Sequence, residues 1–157
     1  MVEIVSGPAG DPDVTDAARL LRAFNLEYDE PAPPVEELAP HLAELIAGHH
    51  VTVLLAREAG SREAVGVAVL RVQPAILSHA QEAYLAELYV VPGRRGQGFG
   101  RALITEVVRV AREQGADYAF LITTEDDQLA QRLYETAGFR RTEGAGGPLM
   151  LAYEREL

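Results

Sequence analysis

Residues 84–111 read YLAELYVVPGRRGQGFGRALITEVVRVA, and this stretch decides the fold. Its first part, Leu85 to Val91, is an apolar, β-prone run that stops at Pro92. A glycine-rich segment follows, and a helical pattern begins at Ala102. The stretch therefore predicts a strand, a tight turn and a helix in immediate succession.

The glycine-rich turn between Arg94 and Arg101 is suited to binding an anion. Glycines lack a Cβ and let successive backbone N–H groups converge, and the following helix adds its unpaired N-terminal donors and the positive end of its dipole. Arginines beside the turn supply full positive charges. We therefore expect a phosphate or pyrophosphate group at this turn.

Spacing distinguishes between the known phosphate-binding loops. A P-loop ends in Gly-Lys-Ser/Thr, and the chain contains no lysine. The dinucleotide fingerprint G-x-G-x-x-G fails because its third glycine would fall on Arg101 or Leu103. The remaining match is RGQGFG, from Arg95 to Gly100. It resembles Arg/Gln-x-x-Gly-x-Gly/Ala, the coenzyme A pyrophosphate loop of the GNAT N-acetyltransferase superfamily.

A second segment strengthens this resemblance. Residues 130–139 read AQRLYETAGF, which is similar to the A-x-x-L-Y-x-x-x-G-F pattern of the family. On the loop alone, the competing interpretation is a strand-to-helix turn whose glycines serve only backbone geometry. The two motifs together favour the family. The resemblance covers nearly the whole chain, with specific motifs only between Tyr84 and Phe139.

Composition is typical of a single globular domain spanning residues 1–157, with 48% hydrophobic and 24% charged residues. No apolar run reaches the roughly 20 residues of a membrane span, and the N-terminus shows no signal-like core, so we expect no membrane association and a cytoplasmic location. The absence of cysteine excludes disulfides, thiolate metal sites and a cysteine nucleophile. A net charge of −10 argues against nucleic-acid binding.

The predicted order is strand, helix, helix, three strands, helix, strand, helix and two strands. Asp13 is the predicted cap of the first helix, and the chain is expected to close with an antiparallel pair at Arg140–Thr142 and Leu149–Tyr153. The order resembles the GNAT fold. The resemblance implies an α/β (α+β) architecture, with a mixed, mostly antiparallel sheet of about seven strands, four helices and a central parallel β-α-β unit that binds acetyl-CoA.

In the family, the two parallel strands of that unit splay apart and the pantetheine arm of acetyl-CoA lies between them. The resemblance implies the following coenzyme-binding residues: Leu88, Tyr89, Val90, Arg95, Gly96, Gln97, Gly98, Phe99, Gly100, Arg101, Asp127, Ala130 and Tyr134. A backbone N–H near Val90 is expected to donate to the thioester carbonyl oxygen. Asp127 stands where relatives often carry Asn, so its alternative role is that of a helix cap.

Two residues are candidates for catalysis. Glu87 lies within an otherwise apolar strand, where many relatives place a proposed base, and a carboxylate with a raised pKa could take a proton from an ammonium group. Its alternatives are a polar group on a solvated strand face or one that only attracts the cation. Tyr134 matches the family tyrosine proposed to protonate the leaving thiolate, and its alternative is an aromatic packed in the core.

The acceptor site is expected to be walled by three loops, at residues 25–34, 73–82 and 143–148. Candidate acceptor-binding residues are Tyr28, Glu30, His79 and Glu87, although the favoured interpretation of the segment that contains Glu30 is a solvated acidic loop. The four histidines are not spaced as a metal site, and we predict no metal.

The sequence as a whole predicts an acetyl-CoA-dependent N-acetyltransferase. Its acceptor is expected to be a primary amine of a small molecule or peptide, attacking directly in a ternary complex. The alternatives are an acyltransferase that uses a longer acyl-CoA, and an acyl-CoA-binding or regulatory module without turnover. Family members often pair as homodimers, which makes a homodimer the expected candidate assembly.

Overall fold

A computed structural model describes residues 1–157. The sheet contains five strands in the spatial order β1-β2-β3-β4-β5. The strands are β1 (Val2–Val5), β2 (Thr52–Arg57), β3 (Ala64–Pro74), β4 (Gln81–Val90) and β5 (Ala116–Leu121). The helices are α1 (Pro12–Glu27), α2 (Val35–Ala47), α3 (Phe99–Glu113) and α4 (Gln128–Thr136). Neighbouring strands are antiparallel except β4 and β5, which are parallel and joined through α3.

Alternation along the strands produces two hydrophobic clusters, one on each face of the sheet. On the first face, α1 and α2 pack their apolar stripes against residues such as Val53, Leu55 and Val67. On the second face, α3 buries Leu103 and Val107 against the opposite side chains of the same strands. None of the four helices has both the length and the apolar composition that crossing a membrane requires.

The expectation of about seven strands is wrong, because the sheet ends at β5. The predicted closing pair is reduced to one isolated bridge between Thr142 and Leu149. The intervening segment forms a tight loop in which Gly144 and Gly146 take φ values of 65° and 75°. No backbone hydrogen bond is made beyond Met150. These two short segments have no neighbouring strand that could continue the ladder beyond this bridge.

Helix α1 is capped by Asp11 and not by the predicted Asp13. The Asp11 side chain accepts a hydrogen bond from the Asp13 backbone N–H at 2.8 Å. Pro12 occupies the first helical position, where its missing N–H costs nothing, so the cap must be the residue before it. The predicted cap, Asp13, is therefore the second residue of the helix.

The connection between β3 and β4 is much shorter than the predicted segment 73–82. The two strands remain paired as far as Pro74 and Gln81, leaving only residues 75–80 as a loop. This loop lies at the start of β4, whereas Glu87 lies near its end. At about 3.3 Å per residue, the two are roughly 20 Å apart along the strand. The structure does not support residues 73–82 as an acceptor wall.

Candidate active site

The candidate active site lies where β4 and β5 separate. Their parallel pairing ends at Leu85 and Leu121, so no strand lies on the β5 side of residues 86–90. On the opposite edge, the pairing of β4 with β3 shifts between Leu85 and Glu87, which makes Ala86 the bulged residue. Bulges bend a strand and increase its local twist. The predicted splaying of the central unit is therefore present.

The separation opens a cleft of about 950 Å³. Its walls come from the end of β4, the start of α3, the residues after β5 and helix α4. Phe24 and Tyr28 of α1 and its C-terminus close one side, and their rings meet edge to face at 5.4 Å. Phe24 also stacks on Tyr89 of β4 at 5.2 Å, which fixes the helix against the strand. Elongated ligands fit a groove of this size.

The glycine-rich loop presents unpaired main-chain donors to this cleft. No hydrogen bond within the protein uses the backbone N–H groups of residues 96–101. Gly96 and Gly98 have φ values of 74° and 91°, a region that L side chains rarely adopt. Gly98 is the N-cap residue that precedes α3, and no side chain caps the helix. Successive free N–H groups at a helix N-terminus make a site that fits a pyrophosphate.

Close packing of α4 against Gly100 leaves little room for a side chain at that position. A Cβ on Gly100 would lie 3.1 Å from the Leu133 side chain. Both residues line the cleft. The two predicted motifs therefore pack against each other, and the Leu133 side chain limits the size of the residue that fits at position 100.

The side chain of Arg95 is not directed at the free amides. Its Nε donates to the Val90 carbonyl at 2.9 Å, and its Nη2 donates to both carboxylate oxygens of Glu27, at 2.7 and 2.9 Å. The guanidinium also lies 5.6 Å from the centre of the Tyr89 ring. Arg95 thus ties the end of α1 to β4. Arg101 is exposed, lines the cleft and makes no hydrogen bond or ion pair, which leaves its charge available to an anion.

Glu87 is half-buried and lines the cleft without a hydrogen-bond partner. Burial raises its pKa, and the nearby positive charge of Arg71 opposes the shift without cancelling it. A carboxylate with a raised pKa is a stronger proton acceptor than an exposed one. Its position therefore suits proton transfer.

Tyr134 lies on α4 and lines the same cleft. Burial, and to a lesser extent the negative charge of Asp127, raises its pKa to about 12. Its hydroxyl therefore keeps its proton at neutral pH and can donate a hydrogen bond. Its ring also packs against the second hydrophobic cluster, with Phe139 at 6.3 Å. The cleft and the core were predicted as alternative locations for this side chain. It contacts both, because it lines the cleft and packs against the core.

The other predicted residues divide into two groups. Leu88, Val90 and Ala130 line the cleft, and so does Asp127, whose carboxylate accepts a hydrogen bond from the Ala130 N–H at 3.0 Å and caps α4. The side chains of four predicted residues line neither this cleft nor its neighbour: Glu30, His79, Gln97 and Phe99. Gln97 instead donates to the Gly93 carbonyl. No group of three or more His, Cys, Asp or Glu side chains is arranged to hold a metal ion.

Sequence reasoning missed a second cavity of about 190 Å³, which shares one lining residue with the cleft. It lies between α1, α2 and the sheet, and Glu87 lines both spaces. Arg71 of β3 also lines it. The signal was present, because Arg71 is the only charged residue between Ala64 and Val72. The same reasoning that selected Glu87 applies to it.

Comparison with known protein families identifies the family that has this architecture. The model of the Acetyltransferase (GNAT) family matches residues 17–139. The chain belongs to the GNAT acetyltransferase family. The resemblance inferred from the loop and the α4 motif is thus confirmed.

Similar proteins are found in several bacteria. An uncharacterized N-acetyltransferase of Mycobacterium tuberculosis strain H37Rv is 33% identical over 98 residues, covering 62% of this chain and 58% of the relative. The alignment thus spans less than two thirds of the length of that relative. An uncharacterized N-acetyltransferase of Bacillus subtilis, YhfO, is 28% identical over 132 residues, covering 83% of this chain and 87% of the relative.

Solved structures share the whole fold. A crystal structure from Arthrobacter sp. FB24 is 37% identical, with a TM-score of 0.84 and coverage of 99% of this chain and 96% of that one. An aminoglycoside acetyltransferase from a soil metagenomic sample, in complex with sisomicin, has a TM-score of 0.74 at 21% identity, covering 99% and 96%. At that identity, the likeness concerns the GNAT fold alone.

Proposed function

We propose that this GNAT protein is an acetyl-CoA-dependent N-acetyltransferase that transfers an acetyl group to a primary amine of a small molecule or peptide. The observation that carries the proposal is the convergence of three features on one cleft. These are the unpaired N–H groups of residues 96–101, the edge of residues 86–90 that pairs with no strand, and the side chains of Glu87 and Tyr134.

The chain's main-chain groups hold the coenzyme. Free N–H groups of residues 96–101 bind the pyrophosphate, with Arg101 adding charge, and the edge of β4 offers its main chain to the pantetheine amides. An N–H near Val90 would donate to the acyl oxygen, where negative charge develops during attack. When bound, acetyl-CoA supplies an acyl group activated as a thioester.

Glu87 prepares the amine. At neutral pH an alkyl amine is largely an ammonium ion, and it must lose a proton before its nitrogen can attack. The half-buried Glu87 carboxylate first attracts the cation and then accepts this proton, directly or through a water. Burial raises the pKa of Glu87 and so favours that transfer.

Tyr134 stabilises the departing sulfur by hydrogen bonding. A thiol has a pKa of about 8.5, so full proton transfer from a phenol whose pKa is about 12 is unfavourable. The neutral hydroxyl can nevertheless donate to a developing thiolate. Tyr134 therefore assists departure, and the thiolate can obtain its proton from the amine or from solvent.

Binding and turnover test the proposal separately. Calorimetric titration with acetyl-CoA, using ATP and NAD as controls, should show selective binding in the micromolar range. Release of the coenzyme thiol in the presence of a panel of primary amines should then reveal turnover. Selective binding with no turnover on any amine would indicate a binding module. Failure to bind acetyl-CoA would refute the assignment.

A further inference from the structure

The second cavity combines an apolar wall with two opposite charges. Its aliphatic lining comes mainly from the facing sides of α1 and α2 and from the sheet: Leu21, Leu38, Leu42, Leu45, Val51 and Val69. Arg71 and Glu87 are its only acidic or basic lining residues apart from His41. A pocket of this composition suits a small ligand that has an apolar part and both signs of charge.

Arg71 has no partner of its own. It lies on β3, two residues beyond Val69, which pairs directly with Glu87 across the strands. The exposed side chain of Arg71 makes no hydrogen bond and no ion pair, as is true of half of the fourteen arginines. Its charge nevertheless acts on Glu87, since it opposes the rise in that carboxyl's pKa. A guanidinium fork left free beside a cavity can bind a carboxylate in bidentate fashion.

We propose that the acceptor is a free α-amino acid with an apolar side chain. This inference rests on the proposed function and specifies its substrate. The carboxylate pairs with Arg71, the amine lies at Glu87 where the cavity meets the coenzyme cleft, and the side chain packs among the leucines of α1 and α2. Each of the three parts of an amino acid thus has a matching surface.

Other amine acceptors fit this cavity less well. About 190 Å³ is below the range of sites that enclose drug-sized ligands, and an aminoglycoside-like polycation would meet Arg71 and an apolar wall. A peptide N-terminus carries an amide where an amino acid carries its carboxylate, so it would gain no ion pair with Arg71. The same is true of a simple alkyl amine.

The transfer balances with these groups alone. The amine nitrogen forms a bond to the acetyl carbonyl carbon, and the carbon–sulfur bond of the thioester breaks. The starting ammonium loses two protons: one passes to Glu87 and on to solvent, and the other replaces the acyl group on sulfur. The products are an N-acetyl amino acid and the free coenzyme thiol.

Matched acceptors test the inference. We would compare kcat/KM for L-leucine with that for L-leucinamide and for 3-methylbutylamine, which lack the charged carboxylate but keep the amine and side chain. An arginine–carboxylate interaction predicts a preference of about 10- to 100-fold for leucine. In Arg71→Gln this preference should fall to about one. Arg112→Gln, which removes the same charge from the exposed last turn of α3, should retain it.

The outcomes separate this inference from the proposed function. Equal use of leucine and its two analogues, or a preference that survives in Arg71→Gln, would overturn the amino-acid assignment while leaving an N-acetyltransferase. If no amine is acetylated, the proposed function fails, and calorimetric titration of the coenzyme A complex with L-leucine decides the cavity. Binding that disappears in Arg71→Gln would support the assignment, and no binding would refute it.

Discussion

The cleft and the second cavity are both lined by Glu87, but different parts of the chain form them. The cleft offers the main chain, through the free N–H groups of residues 96–101 and the unpaired edge of β4. The second cavity offers side chains, mostly leucines of α1 and α2 with Arg71. One therefore depends on backbone conformation and glycine, and the other on which residues happen to face inwards.

This difference explains why a family can keep one ligand and change the other. A pyrophosphate bound by backbone N–H groups is insensitive to most side-chain substitutions, provided that the glycines remain. A cavity lined by side chains changes with each substitution in α1, α2 or β3. Predictions about the coenzyme should accordingly depend on the loop, and predictions about the acceptor on Glu87 and Arg71.

The largest expected effect concerns the residue shared by both spaces. In Glu87→Gln, kcat should fall by roughly 10²- to 10⁴-fold, the usual contribution of a positioned base. The acetyl-CoA dissociation constant should stay the same, since the groups proposed to hold the coenzyme belong to the main chain. Steady-state kinetics with calorimetry measure the two quantities. A variant that turns over at the wild-type rate would exclude Glu87 as the base.

An independent measurement on the same variant uses stability. Burial raises the pKa of Glu87 in the folded protein above its unfolded value, so the charged form is disfavoured on folding. The contribution of this group is fully present below the unfolded pKa and is lost as pH rises through the folded pKa. Glu87→Gln should therefore have a higher free energy of unfolding than the wild type at neutral pH. Denaturant unfolding at about pH 4 should show that difference shrinking.

The next effect tests whether Tyr134 belongs to the buried side of the cleft. Its pKa of about 12 lies above the reference value of 10.0, so folding keeps the phenol neutral. The contribution of Tyr134 to the free energy of unfolding is therefore fully present below pH 10. Roughly 3 kcal/mol of it is lost between about pH 10 and pH 12. Tyr134→Phe should lose less of its unfolding free energy over this range. The absence of lysine removes the usual competing titration.

A matched variant controls for the loss of a phenol. The Tyr153 side chain is 90% exposed, and Tyr153→Phe should show the wild-type loss of stability between pH 10 and pH 12. Urea unfolding at a series of alkaline pH values provides the comparison. If Tyr134→Phe and Tyr153→Phe behave identically, the Tyr134 hydroxyl is not held in a desolvated site.

Sequence reasoning succeeded where the main chain determines structure. The glycine spacing predicted a turn in which Gly98 has a positive φ and the backbone N–H groups around it are free, because few other local structures require this pattern of glycines. Glu87 was found because a charge within an apolar strand needs an explanation. These are local signals, and neither depends on knowing which elements pack together.

Sequence reasoning failed where contacts between distant elements determine the structure. Arg71 carried the same local signal as Glu87, but its importance depends on α2 packing over β3 to enclose a cavity. His79 was placed near the acceptor because the β3–β4 pairing was expected to end earlier. The final strand pair was expected at Arg140–Thr142 and Leu149–Tyr153, but such short segments form a ladder only where a neighbouring strand is available.

The loop itself can be tested with two alanine substitutions. Gly98 has a φ of 91°, where an L side chain costs about 1–2 kcal/mol, whereas Gly93 lies outside this region and has open space around its Cβ position. Relief of the strain would move the free amides. Gly98→Ala should therefore weaken acetyl-CoA binding by about tenfold, and Gly93→Ala should leave it unchanged. Similar affinities in the two variants would show that the left-handed turn does not set the coenzyme site.

The smallest effect separates the two roles of Asp127. As the cap of α4, its carboxylate accepts from the Ala130 N–H at 3.0 Å, and asparagine caps nearly as well. Asp127→Ala should lower the unfolding free energy by about 1 kcal/mol, and Asp127→Asn by a few tenths. Both variants remove a negative charge that raises the pKa of Tyr134, so the tyrosine should titrate earlier in each. Chemical denaturation and tyrosinate absorbance measure the two effects independently. A stability loss in Asp127→Asn as large as in Asp127→Ala would mean that the charge at the helix N-terminus, and not the cap hydrogen bond, holds α4 against the loop.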